Sequence, residues 1–276
     1  MLGKPYFRFM ESKVVIVTGA GSGIGKEIAR KWAAQGAHVV LAGRRSEPLQ
    51  ALQEELKPLP GKRLVVPADV GKKEDCKVLI DKTVEAFGRI DLLVNNAGIS
   101  MRALFRDLDL EVLEKLMQVN FWGTTYCSYY ALPYLLQSKG SIIGISSVAG
   151  YQGLPGRTGY CASKFAMHGL LNTLRVEYKN QGLHVLICCP GFTASNIRKT
   201  ALNAAGETQG ESPRDEQKMM QPQEVAQALF KAWQKRKRFL VLTAQGKLTW
   251  WLSRFFPAFV DAQVLKHFQK ESESPV

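Results

Sequence analysis

Short apolar, β-branched runs recur along this chain, and each is followed by a stretch with helical spacing. That alternation restricts the fold more than any other property of the sequence. The first run, "KVVIVTG" (13–19), leads into "GKEIARKWAAQGA", where Ile28, Ala29, Trp32 and Ala33 fall on one helix face. The same pairing repeats through "HVVLAG", "RLVVPAD", "IDLLVNNAG", "GSIIGISS" and "HVLICCPG". Helices are expected between these runs, including one unbroken helix over "LEVLEKLMQVNFWGTTYCSYYALPYLLQ" (110–137) and another over "YCASKFAMHGLLNTLRVEYKNQG" (160–182). Strands that lack polar alternation are buried on both faces, as parallel strands are. Strand–helix repetition of this kind predicts an α/β fold with a doubly wound parallel sheet.

At 276 residues, 46% of them hydrophobic and 22% charged, the chain suits one α/β domain or two small ones. No Pro/Ser-rich linker and no solenoid repeat divides it, so a single Rossmann-type domain over 1–276 is expected. Within it, the polar stretch 195–222 reads as a substrate lid or as a loop without fixed structure. Residues 246–276 read as a basic, aromatic C-terminal extension.

Five cysteines (Cys76, Cys127, Cys161, Cys188 and Cys189) form no C-x-x-C pair and leave one over from any disulfide pairing. A reducing compartment and no metal site are the expectation. "MLGKPYFRFMESK" interrupts its apolar residues too often for a secretory signal, and no run is long enough to span a bilayer. The expected location is cytoplasmic, with peripheral contact at a membrane surface as an option raised by charge. The formal net charge is +13, and Lys231, Lys235, Arg236, Lys237, Arg238, Lys247 and Arg254 have no acidic residue among them. In "GKLTWWLSRFFPAFVDAQVLKHFQK", Leu248, Trp251, Leu252, Phe255, Phe256 and Phe259 recur at helical spacing. They suit either a membrane interface at 231–260 or packing over the substrate mouth, with Pro257 breaking the helix. "KRKR" lacks any accompanying nucleic-acid reader motif, so no nucleic-acid partner is expected. His38, His168, His184 and His267 share no ligand spacing and are read as structural or surface groups.

Chemistry is suggested at two places. After the first strand, Gly19, Gly23 and Gly25 form a turn that places backbone N–H groups at a helix N-terminus, where a pyrophosphate is favoured. The pattern over 18–25 is T-G-x-x-x-G-I-G, since Ile24 stands where a G-x-G-x-x-G fingerprint needs glycine. The second strand ends "LAGRR", with Gly43 where an acid would take a ribose, followed by Arg44 and Arg45. Guanidinium groups there suit a 2′-phosphate, which predicts NADP(H) over NAD(H). Ordinary solvated loop arginines are the alternative. Further along, Tyr160 and Lys164 lie four apart on one helix face, and Ser147 precedes the tyrosine by thirteen residues. A nearby ammonium favours the phenolate and lowers a phenol that otherwise ionises near pH ~10. Ser147 can orient a substrate oxygen. Acid, tuning charge and donor together suit proton transfer coupled to hydride transfer.

These residues resemble the short-chain dehydrogenase/reductase family over roughly 12–240. The resemblance rests on the 18–25 turn, Asp69, Asn95-Asn-Ala-Gly98, Asn120, Ser147, Tyr160-x-x-x-Lys164 and Pro190-Gly191. A looser similarity points to the branch with 11β-hydroxysteroid dehydrogenases and 3-ketosphinganine reductases. The resemblance implies Asn120, Ser147, Tyr160 and Lys164 as catalytic residues, Asn120 through a water linking the lysine to solvent. It implies cofactor contacts at Gly19, Ser22, Gly23, Ile24, Gly25, Arg44, Arg45, Asp69, Val70, Asn96, Ala97, Gly98, Tyr160, Lys164, Pro190, Gly191, Thr193 and Ser195. Asp69 and Val70 would meet the adenine, Lys164 the nicotinamide ribose, and Thr193 and Ser195 the carboxamide. Many relatives carry threonine where Ser195 stands. The segments 98–105, 149–157 and 195–222 would form the pocket walls, and Met101, Leu104, Phe105, Tyr151 and Leu154 suit either an apolar small-molecule substrate or, equally, packing. Relatives commonly form homodimers or homotetramers through the helices at 120–137 and 160–180. The alternative to an oxidoreductase is a dinucleotide-binding sensor or membrane-surface scaffold without turnover.

Overall fold

Seven parallel strands form one sheet in the order β3-β2-β1-β4-β5-β6-β7. They are β1 (Val14–Thr18), β2 (His38–Gly43), β3 (Arg63–Pro67), β4 (Leu92–Asn95), β5 (Ser141–Ile145), β6 (His184–Cys189) and β7 (Phe239–Val241). This computed structural model describes residues 10–210 and 219–272. Most of the "MLGKPYFRFMESK" stretch, part of 195–222 and the last four residues of the extension lie outside the described residues.

The helices are α1 (Gly23–Ala33), α2 (Ser46–Leu56), α3 (Lys73–Phe87), α4 (Leu110–Leu116), α5 (Gly123–Gln137), α6 (Thr158–Glu177), α7 (Pro222–Gln234), α8 (Ala244–Phe255) and α9 (Pro257–Ser272). They cover both faces of the sheet, which is why β1, β5 and β6 are buried along their whole length. One face packs against α1 and α7, where Trp32 meets Phe230 at 5.1 Å and Trp233 at 5.9 Å between ring centroids. The other packs against α3, α5 and α6 through Cys76, Leu79, Ile80, Cys127, Ala131, Met167 and Leu171.

Strand order reverses between β1 and β4, which pair with each other through Val15, Ile16 and Val17 against Leu92, Leu93 and Val94. At such a switch point the connections leave in opposite directions and open a crevice beyond the strand ends. Thr18 joins its two walls: its hydroxyl accepts from the N–H groups of Asn96 and Ala97, both at 3.0 Å, and donates to the Val94 carbonyl at 3.3 Å.

The helix expected over 110–137 is interrupted. Met117–Trp122 forms a π-helical turn between α4 and α5, and it carries Asn120. Pro257 ends one C-terminal helix and starts the next, as its ring requires. Trp250 packs on Phe239 at 5.6 Å, whereas Trp251, Phe255 and Phe256 remain exposed. Among the described residues no helix is long and apolar enough to cross a membrane.

Candidate active site

Beyond the strand ends lies a cavity of about 1390 Å³. Its first wall is the β1–α1 turn. Gly19 has φ +66°, and a Cβ on Gly25 would sit 2.2 Å from the Gly19 carbonyl oxygen, so the turn closes only without side chains there. Asn96 ties the turn to β4 by donating from Nδ2 to the carbonyls of Thr18 (2.9 Å) and Gly19 (3.2 Å). Ser22, the N-cap of α1, makes no side-chain hydrogen bond to the helix, and the first turn contains no acid. Its N–H groups, which no helical carbonyl can accept from, therefore offer a cradle for an anion. Arg44 and Arg45 follow β2 on the same side and are exposed, without a carboxylate partner among the described residues. Asp69 borders the cavity beside Val70 and accepts from the Gly71 N–H at 3.0 Å. The donor set and the side-chain-free turn fit a dinucleotide with a pyrophosphate.

The second wall carries the ionisable cluster. Tyr160 and Lys164 lie in the first turns of α6, and Ser147 caps a short 3-10 turn after β5, accepting from the Ala149 N–H. All three border the cavity. Lys164 is buried and donates from Nζ to the Ile145 carbonyl at 2.9 Å. Its ammonium stands 5.8 Å from the centre of the Tyr160 ring. Burial pushes Lys164 down to about 8. The expectation that Lys164 lowers the phenol is not met in this geometry. Burial instead pushes Tyr160 above its ordinary value, opposed by the Ser147 hydrogen bond and then by the nearby Arg157.

Asn120 does not border the cavity. It is fully buried behind the cluster, where Oδ1 accepts from the Ile99 N–H (2.8 Å) and Nδ2 donates to the Ile99 carbonyl and to Ser163 Oγ, both at 3.0 Å. Ser163 in turn donates to the Tyr160 carbonyl at 2.8 Å. Asn120 thus connects the loop after β4 to α6. Every other residue expected to bind the cofactor, from Gly19 through Ser195, does line the cavity.

The substrate wall differs from the expectation. Of the five apolar residues, Leu154 alone lines the cavity. Met101 is packed in a small core with Leu116 and Leu202, Leu104 and Phe105 face outward, and Tyr151 donates to the Gly246 carbonyl at 2.9 Å. The apolar lining comes instead from Val148, Ile197, Leu202, Leu248, Leu252 and Phe259. Residues 195–202 are laced to the loop after β4: Arg102 N–H donates to the Leu202 carbonyl and Leu202 N–H to that of Ser100. Sequence reasoning also did not single out Arg157, three residues ahead of Tyr160, which lines the same cavity. Its spacing from Tyr160 was the available sign. Behind the cluster, His168 continues the Tyr160–Lys164 face and shares a 2.7 Å hydrogen bond with Ser146.

Comparison with known proteins agrees with this architecture. The family model described as short chain dehydrogenase matches residues 13–205. The protein is 39% identical to 11-beta-hydroxysteroid dehydrogenase-like 2 of Arabidopsis thaliana over 194 residues, which is 70% of this chain but only 63% of that protein. It is 34% identical to 11-beta-hydroxysteroid dehydrogenase A of Sesamum indicum over 268 residues, covering 95% of this chain and 77% of that one. Among solved structures, an alcohol dehydrogenase from Thermococcus sibiricus complexed with 5-hydroxy-NADP is 26% identical, with a TM-score of 0.74 over 83% of this chain and 95% of its own. A short chain dehydrogenase/reductase from Burkholderia phymatum in complex with NAD is 25% identical, with a TM-score of 0.80 over 89% and 94%. A sheet that reverses at β1 and β4, a glycine turn beside it and a match of this extent make the chain a member of the short-chain dehydrogenase family.

Proposed function

We propose that the protein is an NADP(H)-dependent oxidoreductase that interconverts a carbonyl and a secondary alcohol on a largely apolar small molecule. The observation that carries this reading is the arrangement of Tyr160, Lys164 and Ser147 around one cavity with the glycine-rich turn at Gly19–Gly25, which closes only with glycine at 19 and 25. Both structural neighbours are complexes with nicotinamide dinucleotides, one an NADP derivative and one NAD. The arginines after β2 and the lack of an acid there support the phosphorylated form.

When bound, the dinucleotide supplies or accepts the hydride. Gly19, Ser22, Gly23, Ile24 and Gly25 hold its pyrophosphate, Arg44 and Arg45 its 2′-phosphate, and Asp69 and Val70 its adenine. Asn96, Ala97 and Gly98 border the adenosine ribose, and Pro190, Gly191, Thr193 and Ser195 the carboxamide. Lys164 bonds the second ribose. Ser147 orients the substrate oxygen, and Tyr160 gives it a proton on reduction and takes one on oxidation. A buried phenol with a raised pKa is protonated at neutral pH, so it is ready as an acid. Asn120 fixes α6 against the loop after β4 and thereby sets where Tyr160 and Lys164 stand.

The described parts of 195–222 serve as the lid of a single domain, and those of 246–272 that border the cavity close its mouth. Exposed Trp122, Tyr129, Phe165 and Val176 on and beside α5 and α6 support pairing of two or more copies through these helices. The exposed Trp251, Phe255 and Phe256, next to the basic run Lys235–Arg238, support peripheral contact of 231–260 with a membrane surface from the cytoplasmic side.

NADPH consumption over a panel of ketones tests the reading. Tyr160→Phe is expected to lower kcat by about 10²- to 10⁴-fold, with NADPH affinity kept within a few-fold. Binding of NADPH without turnover of any carbonyl by the wild-type protein would favour a dinucleotide sensor or scaffold.

A further inference from the structure

Arg157 is a cation that this reading leaves without a task. It stands at the N-cap of α6, three residues before Tyr160, and the two line the same cavity. Its Nη1 donates to Ser100 Oγ at 2.9 Å and to the Met101 carbonyl at 3.3 Å. Among the described residues no carboxylate lies within ion-pair distance of it. Nε and Nη2 have no protein partner, yet they are not sealed from the cavity that Arg157 lines.

Three features make this a poor place for an unpaired cation. The guanidinium is largely withdrawn from water, Arg102 is close enough to repel it, and it sits at the positive end of a 20-residue helix. A single anion held there would relieve all three. The phosphates of a dinucleotide do not meet this need, since the β1–α1 turn and Arg44–Arg45 provide for them. Arg157 is tied instead to the loop after β4, beside Tyr160. The cavity reinforces the sign: exposed Lys115 and Lys199 border it, and Asp69, beside the adenine, is its one carboxylate among the described residues. A planar guanidinium whose Nε–Nη2 edge is free matches a carboxylate in bidentate fashion.

We propose that the substrate is a carbonyl compound that also carries a carboxylate, and that Arg157 binds that carboxylate a few bonds from the reacting carbon. Arg157 and Tyr160, three residues apart at the start of α6 and lining one cavity, set that short spacing. Val148, Leu154 and Leu202 take the apolar remainder. The proposal rests on the oxidoreductase reading and narrows its substrate class.

Acetoacetate, levulinate and longer straight-chain oxo acids, each beside its methyl ester, are the probes. With NADPH, at least one acid is expected to exceed its ester in kcat/KM by tenfold or more. Arg157→Gln, which keeps an amide to face Ser100 and Met101, should reduce that acid-to-ester ratio at least tenfold, and Arg157→Lys should restore part of it. Esters equal to or better than acids throughout the series, or an unchanged ratio in Arg157→Gln, would overturn the proposal. Should the glutamine variant fold poorly, the wild-type ratio and its loss at high salt decide the matter. Tryptophan quenching of the NADP⁺-loaded protein separates the two readings. Acid binding that exceeds ester binding and is lost in Arg157→Gln, without any turnover, sustains the carboxylate subsite while the oxidoreductase reading falls. Turnover of neutral ketones with no acid preference does the reverse.

Discussion

Tyr160 sits between opposing influences, burial on one side and Ser147 and Arg157 on the other, and burial is the larger. The phenol keeps its proton at neutral pH, and its raised value makes it a weaker donor than a free phenol. At the other end of the cavity, Arg44 gives the clearest residue-level prediction. Removing a bidentate phosphate contact by Arg44→Ala should raise the KM for NADPH at least tenfold while changing that for NADH by less than threefold, on the order of 1.5 to 3 kcal/mol for a charged hydrogen bond. Steady-state kinetics with both coenzymes checks it, and equal effects would remove the 2′-phosphate assignment. Tyr160 and Lys164 were legible in the sequence because four residues along a helix is itself a geometric statement. Arg157 was not, since what distinguishes it is the loop at Ser100–Met101 to which it bonds. Met101, Leu104, Phe105 and Tyr151, which suited the pocket or packing equally, do not line the cavity; an apolar residue near a site in sequence has no preferred direction until the loops are placed.

Among the elements, the π-helical turn at Met117–Trp122 has the most specific effect. One wider turn redirects Asn120 toward Ile99 and Ser163 while α4 and α5 continue on either side, and such turns favour functional positions. Asn120→Ala would strand the Ile99 N–H and carbonyl and weaken the hold on Ser163. Two buried groups left unpaired cost about 1 to 3 kcal/mol each. We expect a loss of roughly 2 to 4 kcal/mol in urea denaturation, with kcat falling more than KM changes. Asn120→Asp keeps the acceptor for Ile99 N–H alone and should fall between. A variant as stable as the parent would remove this role. The pattern of apolar residues revealed six strands and the helices between them, but not this turn, because a π turn inserts a residue without altering composition. β7 and the helix before it, α7, were also unread: Phe239–Val241 is three residues long at the sheet edge, too short for a periodicity to register.

For the whole molecule, charge and burial together govern the pH range of stability. Burial, with Lys164 and Arg175 nearby, pushes His168 down to about 4, and burial also lowers His184. Both are neutral in the fold at pH values where the unfolded chain, near ~6.5, takes up protons. The unfolded state then binds more protons, so stability falls as the pH drops from about 6.5 toward 4. Denaturation midpoints at pH 7 and 5 should show this, and His168→Gln should flatten the slope by roughly 1 to 2 kcal/mol. A slope unaffected by that change would place the acid sensitivity elsewhere.

The cavity has a further consequence in the order of its walls along the chain. Cavity residues before β4 run from the β1–α1 turn to Val70, whereas the walls assigned to the substrate all follow β4, in segments around residues 100, 150, 200 and 250. Heritable variation in the later loops can therefore retune what is recognised while leaving the β1–α1 turn and Arg44–Arg45 untouched. Descendants of such a gene would diverge in diet while keeping a common fuel.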